Sequence, residues 1–140
     1  MKYLLDTNVL SELRKDHRAH QAVLAWAGAE SLAESAISAI SVMEIEIGIR
    51  RMARRDSAQA KRLRIWLHQK IRPKFKSRIL PVDEAVALRA AELHVPNPAP
   101  ERDALIAATA LVHGLVMVTR NTHDFAQMDS LELFNPWNEA

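Results

Sequence analysis

Lys2-Tyr3-Leu4-Leu5-Asp6-Thr7-Asn8 sets a carboxylate at the end of a short apolar strand, and Val9-Leu10-Ser11-Glu12-Leu13 then begins a helix. Asp6 therefore occupies a strand-to-helix turn. In parallel α/β sheets the strand ends are where ligands and metals bind. Two readings of Asp6 stand at this point: a helix cap, a common use of Asp, or a metal-binding or catalytic carboxylate.

The same strand-then-helix pattern continues outward from this stretch. Helical patterns follow at 8–14 and 17–27, the second carrying Val23, Leu24 and Trp26. Glu34-Ser35-Ala36-Ile37-Ser38 reads as a short buried strand. A helix over 40–55 places Val42, Ile45 and Ile49 at i, i+3 and i+7. Another over 57–71 lines one face with Leu63, Trp66 and Leu67, and Pro73 closes it. Arg78-Ile79-Leu80 reads as a strand leading to a helix over 83–94 capped by Asp83. Pro96, Pro98 and Pro100 make a semi-rigid loop. A helix from Glu101 runs to a stop at Gly114, and Leu115-Val116-Met117-Val118 reads as a buried strand. Thr119-Arg120-Asn121, a short helix near Thr122 and a strand from Leu131 to Phe134 complete the chain. Strands alternating with helices predict a three-layer α/β/α fold around a mainly parallel central sheet, with residues 1–140 as a single domain.

The chain has no cysteine, which excludes disulfides, thiolate metal sites and cysteine nucleophiles. No apolar run approaches transmembrane length, and Asp6 interrupts any signal-peptide core, so a cytoplasmic protein is expected. The net charge of +2 conceals an asymmetry. Residues 50–78 hold 12 of the 19 basic residues and one acid, a net +11, against 7 basic and 16 acidic residues, a net −9, elsewhere. An acidic body with a basic arm that starts at Arg50, Arg51, Arg54 and Arg55 suggests a polyanionic partner, most simply nucleic acid. A solvated helical face or an edge for an acidic protein is the other reading.

Two strand ends carry polar residues: Asp6 after Leu5, and Thr119-Arg120-Asn121 with Asp124 after Val118. In a parallel sheet both lie on one rim, where clustered oxygens suit a hard cation such as Mg²⁺ or Mn²⁺. Glu44 falls within an apolar helix, either as a buried site carboxylate or on that helix's solvent stripe. Asp103, in a first helical turn, either complements the helix dipole or points into a cleft. Clustered acids raise one another's pKa and destabilise a fold unless a cation neutralises them, and metal-assisted phosphodiester hydrolysis gives such a cluster a purpose. The histidines show no zinc-ligand spacing. Three glycines argue against a phosphate loop or a dinucleotide fingerprint.

Four stretches together carry a family resemblance: Leu4-Leu5-Asp6-Thr7-Asn8-Val9-Leu10-Ser11, Ser38-Ala39-Ile40-Ser41-Val42-Met43-Glu44-Ile45, Asp103-Ala104-Leu105-Ile106-Ala107-Ala108-Thr109-Ala110 and Thr119-Arg120-Asn121-Thr122-His123-Asp124-Phe125. In this order the chain resembles the PIN-domain ribonucleases, specifically VapC-type toxins of type II toxin–antitoxin pairs. Phe134-Asn135-Pro136-Trp137 is similar to the FitB-like subgroup. The resemblance implies a Mg²⁺- or Mn²⁺-dependent endoribonuclease with Asp6, Glu44 and Asp103 as metal-binding acids. Thr7, Asn8, Ser11 and Thr119 would hydrogen-bond around them. It also implies a homodimer and a higher assembly with a VapB-type antitoxin. Some relatives carry Asp where this chain has Asn121, so either neutral Asn121 stands in for a fourth acid or Asp124 supplies it. The competing reading is a non-catalytic module of the same fold that binds nucleic acid or antitoxin and holds a structural cation.

Overall fold

The computed structural model describes residues 1–138. Five strands, β1 (Tyr3–Leu5), β2 (Ser35–Ser38), β3 (Ile79–Leu80), β4 (Val116–Val118) and β5 (Leu133–Phe134), form one sheet in the order β3-β2-β1-β4-β5. Every adjacent pair is parallel. The chain builds outward from β1 to β2 and β3, then returns to the other side of β1 for β4 and β5. The order of strands therefore reverses between β1 and β4, and a crevice opens there beyond their carboxyl ends. The β1–β4 register pairs Leu5 with Val118, which sets Asp6 and Thr119 side by side on that rim.

Alternation along the strands makes the layers. Leu4, Ala36 and Met117 face one core with Ile106, Ala107 and Ala110 of α8 (Glu101–His113). Their neighbours Leu5, Ile37 and Val118 face the opposite core. That side is covered by Val9 and Leu10 of α1 (Thr7–Leu13), Ile45 and Ile49 of α4 (Ala39–Ala53) and Ala60 of α5 (Ser57–Ile65). This is the period-2 division expected of a sheet covered on both faces. The small residues Ala104, Ala107, Ala108 and Ala110 are fully buried and let α8 lie close to the sheet and to α7 (Glu84–Leu93). Gly114 ends α8 at φ 65°, the left-handed conformation that glycine adopts without steric penalty.

Two expected helices differ in form. The span 17–27 is a 3₁₀ turn at Asp16–Arg18, an extended Ala19, and then α2 (Gln21–Trp26). The His20 N–H donates to Glu12 Oε2 (2.9 Å) and His20 Nδ1 accepts from Ala22 N–H (3.1 Å), so side chains take the bonds a continuous helix would have made. A further short helix, α3 (Ala29–Ala33), follows. Pro73 does not close the helix over 57–71: after α5 the chain is π-helical at Trp66–Ile71 and continues as α6 (Arg72–Lys74). The wider turn relieves the clash of the proline ring with the carbonyl four residues earlier. α9 (Thr122–Phe125) follows β4. No helix among the described residues is long and apolar enough to cross a membrane.

Candidate metal centre

Asp6 is both a cap and a member of an acidic cluster. It is only 7% exposed, and Oδ1 accepts the N–H of Thr7 (2.8 Å), which closes the N-terminus of α1. Oδ2 accepts from the hydroxyl of Thr119 (2.8 Å) and from Asn8 Nδ2 (3.4 Å). Thr119 is fully buried and also accepts from Asn8 Nδ2 (3.3 Å) and from the N–H of Asn121 (3.0 Å). Asn8 Oδ1 accepts the N–H of Arg120 (3.3 Å), so Asn8 ties the turn after β1 to the turn after β4. Burial pushes the Asp6 carboxyl above its ordinary range. The Thr119 and Thr7 hydrogen bonds pull it back, while the charges of Glu44 and Asp124 push it up further.

Glu44 reaches the same rim from the second turn of α4, whose N-terminus is capped by Ser38 Oγ accepting from Ile40 N–H (3.0 Å). The Thr7 hydroxyl lies 2.7 Å from Glu44 Oε1 and 2.9 Å from Oγ of the fully buried Ser41. A hydroxyl has one proton, so the carboxylate, the stronger acceptor, takes it and Ser41 donates in turn. Glu44 Oε2 stands 3.8 Å from Arg102 Nη1.

Asp103 lies in the first turn of α8 and is half-buried, with no hydrogen-bond or ion-pair partner among the described residues. Burial raises its carboxyl above the ordinary range, and Asp6, Glu44 and Asp124 each raise it further. Asp124, in the first turn of α9, thus acts electrostatically on both Asp6 and Asp103. Asn121 is exposed and touches the cluster through its backbone N–H to Thr119. Ser11 is exposed one helical turn beyond Thr7 and makes no hydrogen bond to Asp6. Arg50, Arg51, Arg54 and Arg55 are exposed at the end of α4, and Arg50 pairs with Glu46 (3.1 Å). At about 1.5 Å of rise per residue they begin roughly 9 Å from Glu44 and reach roughly 16 Å, beside the cluster rather than within it.

Two residues of this site escape a sequence reading. Ser41 stands three positions before Glu44 on one helix face, a spacing that was available as a signal. Arg102 is a base in a first helical turn, where it opposes the dipole, and that oddity marks it.

The four acids act on one another electrostatically, yet among the described residues no three Asp, Glu, His or Cys side chains stand close enough together to hold a metal ion in this structure. The cluster is open. Oxygen donors in excess of nearby positive charge fit a hard divalent cation, which keeps several waters and takes only one or two carboxylates directly. A closed tetrahedral nitrogen or sulfur site is not what these residues make.

Comparison with known proteins agrees with this geometry. The PIN domain model matches residues 3–131. Toxin FitB of Neisseria gonorrhoeae is 36% identical over 141 residues, covering 97% of this chain and 99% of its own. VapC ribonuclease Y4jK of Sinorhizobium fredii is 34% identical over 145 residues, covering 98% and 99%. A solved structure of FitAB bound to a DNA fragment superposes with a TM-score of 0.86 at 34% identity, covering 99% of this chain and 97% of the other. The chain belongs to the PIN-domain family.

Proposed function

We propose that this protein is the toxin of a type II toxin–antitoxin pair and that it hydrolyses RNA phosphodiester bonds with Mg²⁺, or Mn²⁺ in its place. The whole chain acts as one PIN domain in the cytoplasm. A single observation carries the reading: Asp6 after β1, Glu44 of α4, Asp103 of α8 and Asp124 of α9 act on one another electrostatically at the switch point of a parallel sheet, with Arg102 3.8 Å from Glu44. Kinship with a relative named as a toxin and another named as a ribonuclease supports it.

Asp6, Glu44 and Asp103 would hold the cation, with Asp124 at the edge of the set. When bound, such an ion neutralises phosphate charge and acidifies a water near it. The chain's own residues do the rest. Thr119 and Asn8 hold Asp6 Oδ2, and Thr7 holds Glu44 Oε1, so both carboxylates are oriented before any ligand arrives. Arg50, Arg51, Arg54 and Arg55 supply positive charge that holds the polyanion across the neighbouring face. The resemblance to VapC-type toxins and the FitAB–DNA assembly support a cognate antitoxin, and the resemblance alone supports a homodimer as the working unit.

Purified protein incubated with RNA should yield products with Mg²⁺ and none with EDTA. Asp6→Asn should abolish cleavage while leaving the far-ultraviolet circular dichroism spectrum unchanged. RNA binding without cation-dependent products would favour the non-catalytic module instead.

A further inference from the structure

A cleft of about 720 Å³ borders the acid cluster, with Asp103 and Asp124 in its lining. It runs between the proline loop that joins α7 to α8 and the segment from α9 to Asp129. Leu93 and Met128 line it and belong to the core beneath, so part of its wall is apolar and anchored. The loop side is built rather than loose. His94 Nδ1 accepts the N–H of Ala99 (3.2 Å), and Ala99 packs on the same core. Asn97 and Gln127 bring two carboxamides to the lining. The cleft is of a size for an organic group, and its lining mixes apolar residues, Leu93, Met128 and the loop prolines among them, with a larger share of polar ones.

The charge of the cleft decides what kind of group. Its Arg89 is already paired with Glu92 (2.6 Å), and Asp129 adds negative charge beyond Asp103 and Asp124, which would face the cation. A phosphate is repelled there. A neutral group with a flat apolar face and N–H donors is favoured.

We propose that the cleft receives the base of the nucleotide next to the scissile phosphate, that Asn97 and Gln127 hydrogen-bond its edge, and that bases carrying an exocyclic amine are preferred over uracil. The proposal rests on the RNA-hydrolysis reading of the acid cluster. An unstacked base presents its face to apolar side chains and its edge to hydrogen-bonding groups, the usual route to sequence-specific reading of single-stranded RNA. Carboxamides offer both donor and acceptor, and the Asp129 carboxylate accepts from exocyclic amines, which cytosine, adenine and guanine carry and uracil lacks.

The test uses the full chain with Mg²⁺, a random-sequence RNA pool whose cleavage ends are sequenced, and bis(p-nitrophenyl) phosphate, a diester without a base. Wild-type protein should favour amine-bearing bases over uracil at one position beside the cut by about tenfold or more. Asn97→Leu and Gln127→Leu, near in shape but without hydrogen-bonding groups, should each flatten that preference to about threefold or less and leave turnover of the base-free diester within about twofold. Retained diester turnover shows that the variants are folded around an intact acid cluster. A flat wild-type profile, a preference for uracil, or variants with an unchanged profile would overturn the assignment. Variants that keep the RNA profile and lose only antitoxin binding would also overturn it, making the cleft a protein-docking groove. Wild-type protein that cuts no RNA refutes the reading of the acid cluster itself, an outcome distinct from RNA cleavage without base preference.

Discussion

Thr7→Val removes one hydroxyl and almost nothing else, at the point where α1 meets α4. In the wild type that hydroxyl bonds Glu44 Oε1 at 2.7 Å and contacts the buried Ser41 Oγ at 2.9 Å. A hydrogen bond to a charged acceptor contributes about 1.5–3 kcal/mol, and Ser41 is left with a partner to replace. Some of that loss returns when Ser41 bonds within its own helix, so a net cost of about 2 kcal/mol is expected. For 140 residues the unfolding entropy is about 0.3 kcal/mol/K, which turns about 2 kcal/mol into a fall in Tm of roughly 7 °C. Differential scanning calorimetry of the EDTA-treated protein measures it. Thr7→Ser, which keeps the hydroxyl, should lose less than half as much, and in a Glu44→Gln background the Thr7→Val penalty should shrink because the bond is no longer charge-assisted. A Thr7→Val protein that melts within about 1 °C of the wild type would refute the premise that this hydroxyl fixes Glu44.

Asp103→Asn should abolish RNA cleavage and yet raise the Tm of the metal-free protein at pH 7–8, since it removes a charge repelled by Asp6, Glu44 and Asp124. A lower Tm would count against the cluster. The pH dependence follows from the raised carboxyls of Asp6 and Asp103: each binds more protons folded than unfolded above its ordinary value of 3.8. Their contribution to stability is complete below that value and is lost as pH rises through the folded pKa. The Tm advantage of Asp103→Asn over wild type should therefore grow from pH 4 upward in EDTA and shrink when Mg²⁺ is added. Mg²⁺ at 100 times its dissociation constant should stabilise the wild type by about 2.7 kcal/mol, or roughly 9 °C. Arg54→Glu with Arg55→Glu should weaken binding of single-stranded RNA and reduce the slope of log K against log salt by about 0.7 per lost phosphate contact, measured by fluorescence anisotropy in EDTA.

The fold was legible because its signals are local. Leu4-Leu5, Ala36-Ile37 and Met117-Val118 are apolar pairs that face opposite cores, and Ser38, Asp83 and Gly114 mark helix ends with ordinary capping chemistry. The split at Ala19 was not legible, since it depends on Glu12 reaching forward across eight residues to accept the His20 N–H. Nor was the passage through Pro73, where a π-helical turn rescues a pattern that normally ends a helix. Within the site, Asp6, Glu44 and Asp103 could be picked out one at a time, each with an innocent alternative. What the sequence could not weigh was the fourth position. Asn121 meets the cluster only through its backbone, while Asp124 acts on two of its acids.

Asp6 also shows why its two readings were never rivals. Oδ1 closes α1 and Oδ2 is held across the β1–β4 seam by Thr119, so the charge at the site is the same group that fastens helix to sheet. Those hydrogen bonds offset part of the burial of Asp6, and Thr7 does the same for Glu44. Nothing comparable serves Asp103. It accepts no capping N–H, and Glu101 already places an acid in the first turn of α8. Arg102 turns to Glu44 instead, at 3.8 Å. An ionised carboxylate kept half-buried in the field of three others, without a partner among the described residues, weakens the metal-free fold. Only a ligand that brings positive charge reverses that sign, and so the unpartnered acid, more than the well-bonded Asp6, is the residue whose charge the fold alone cannot explain.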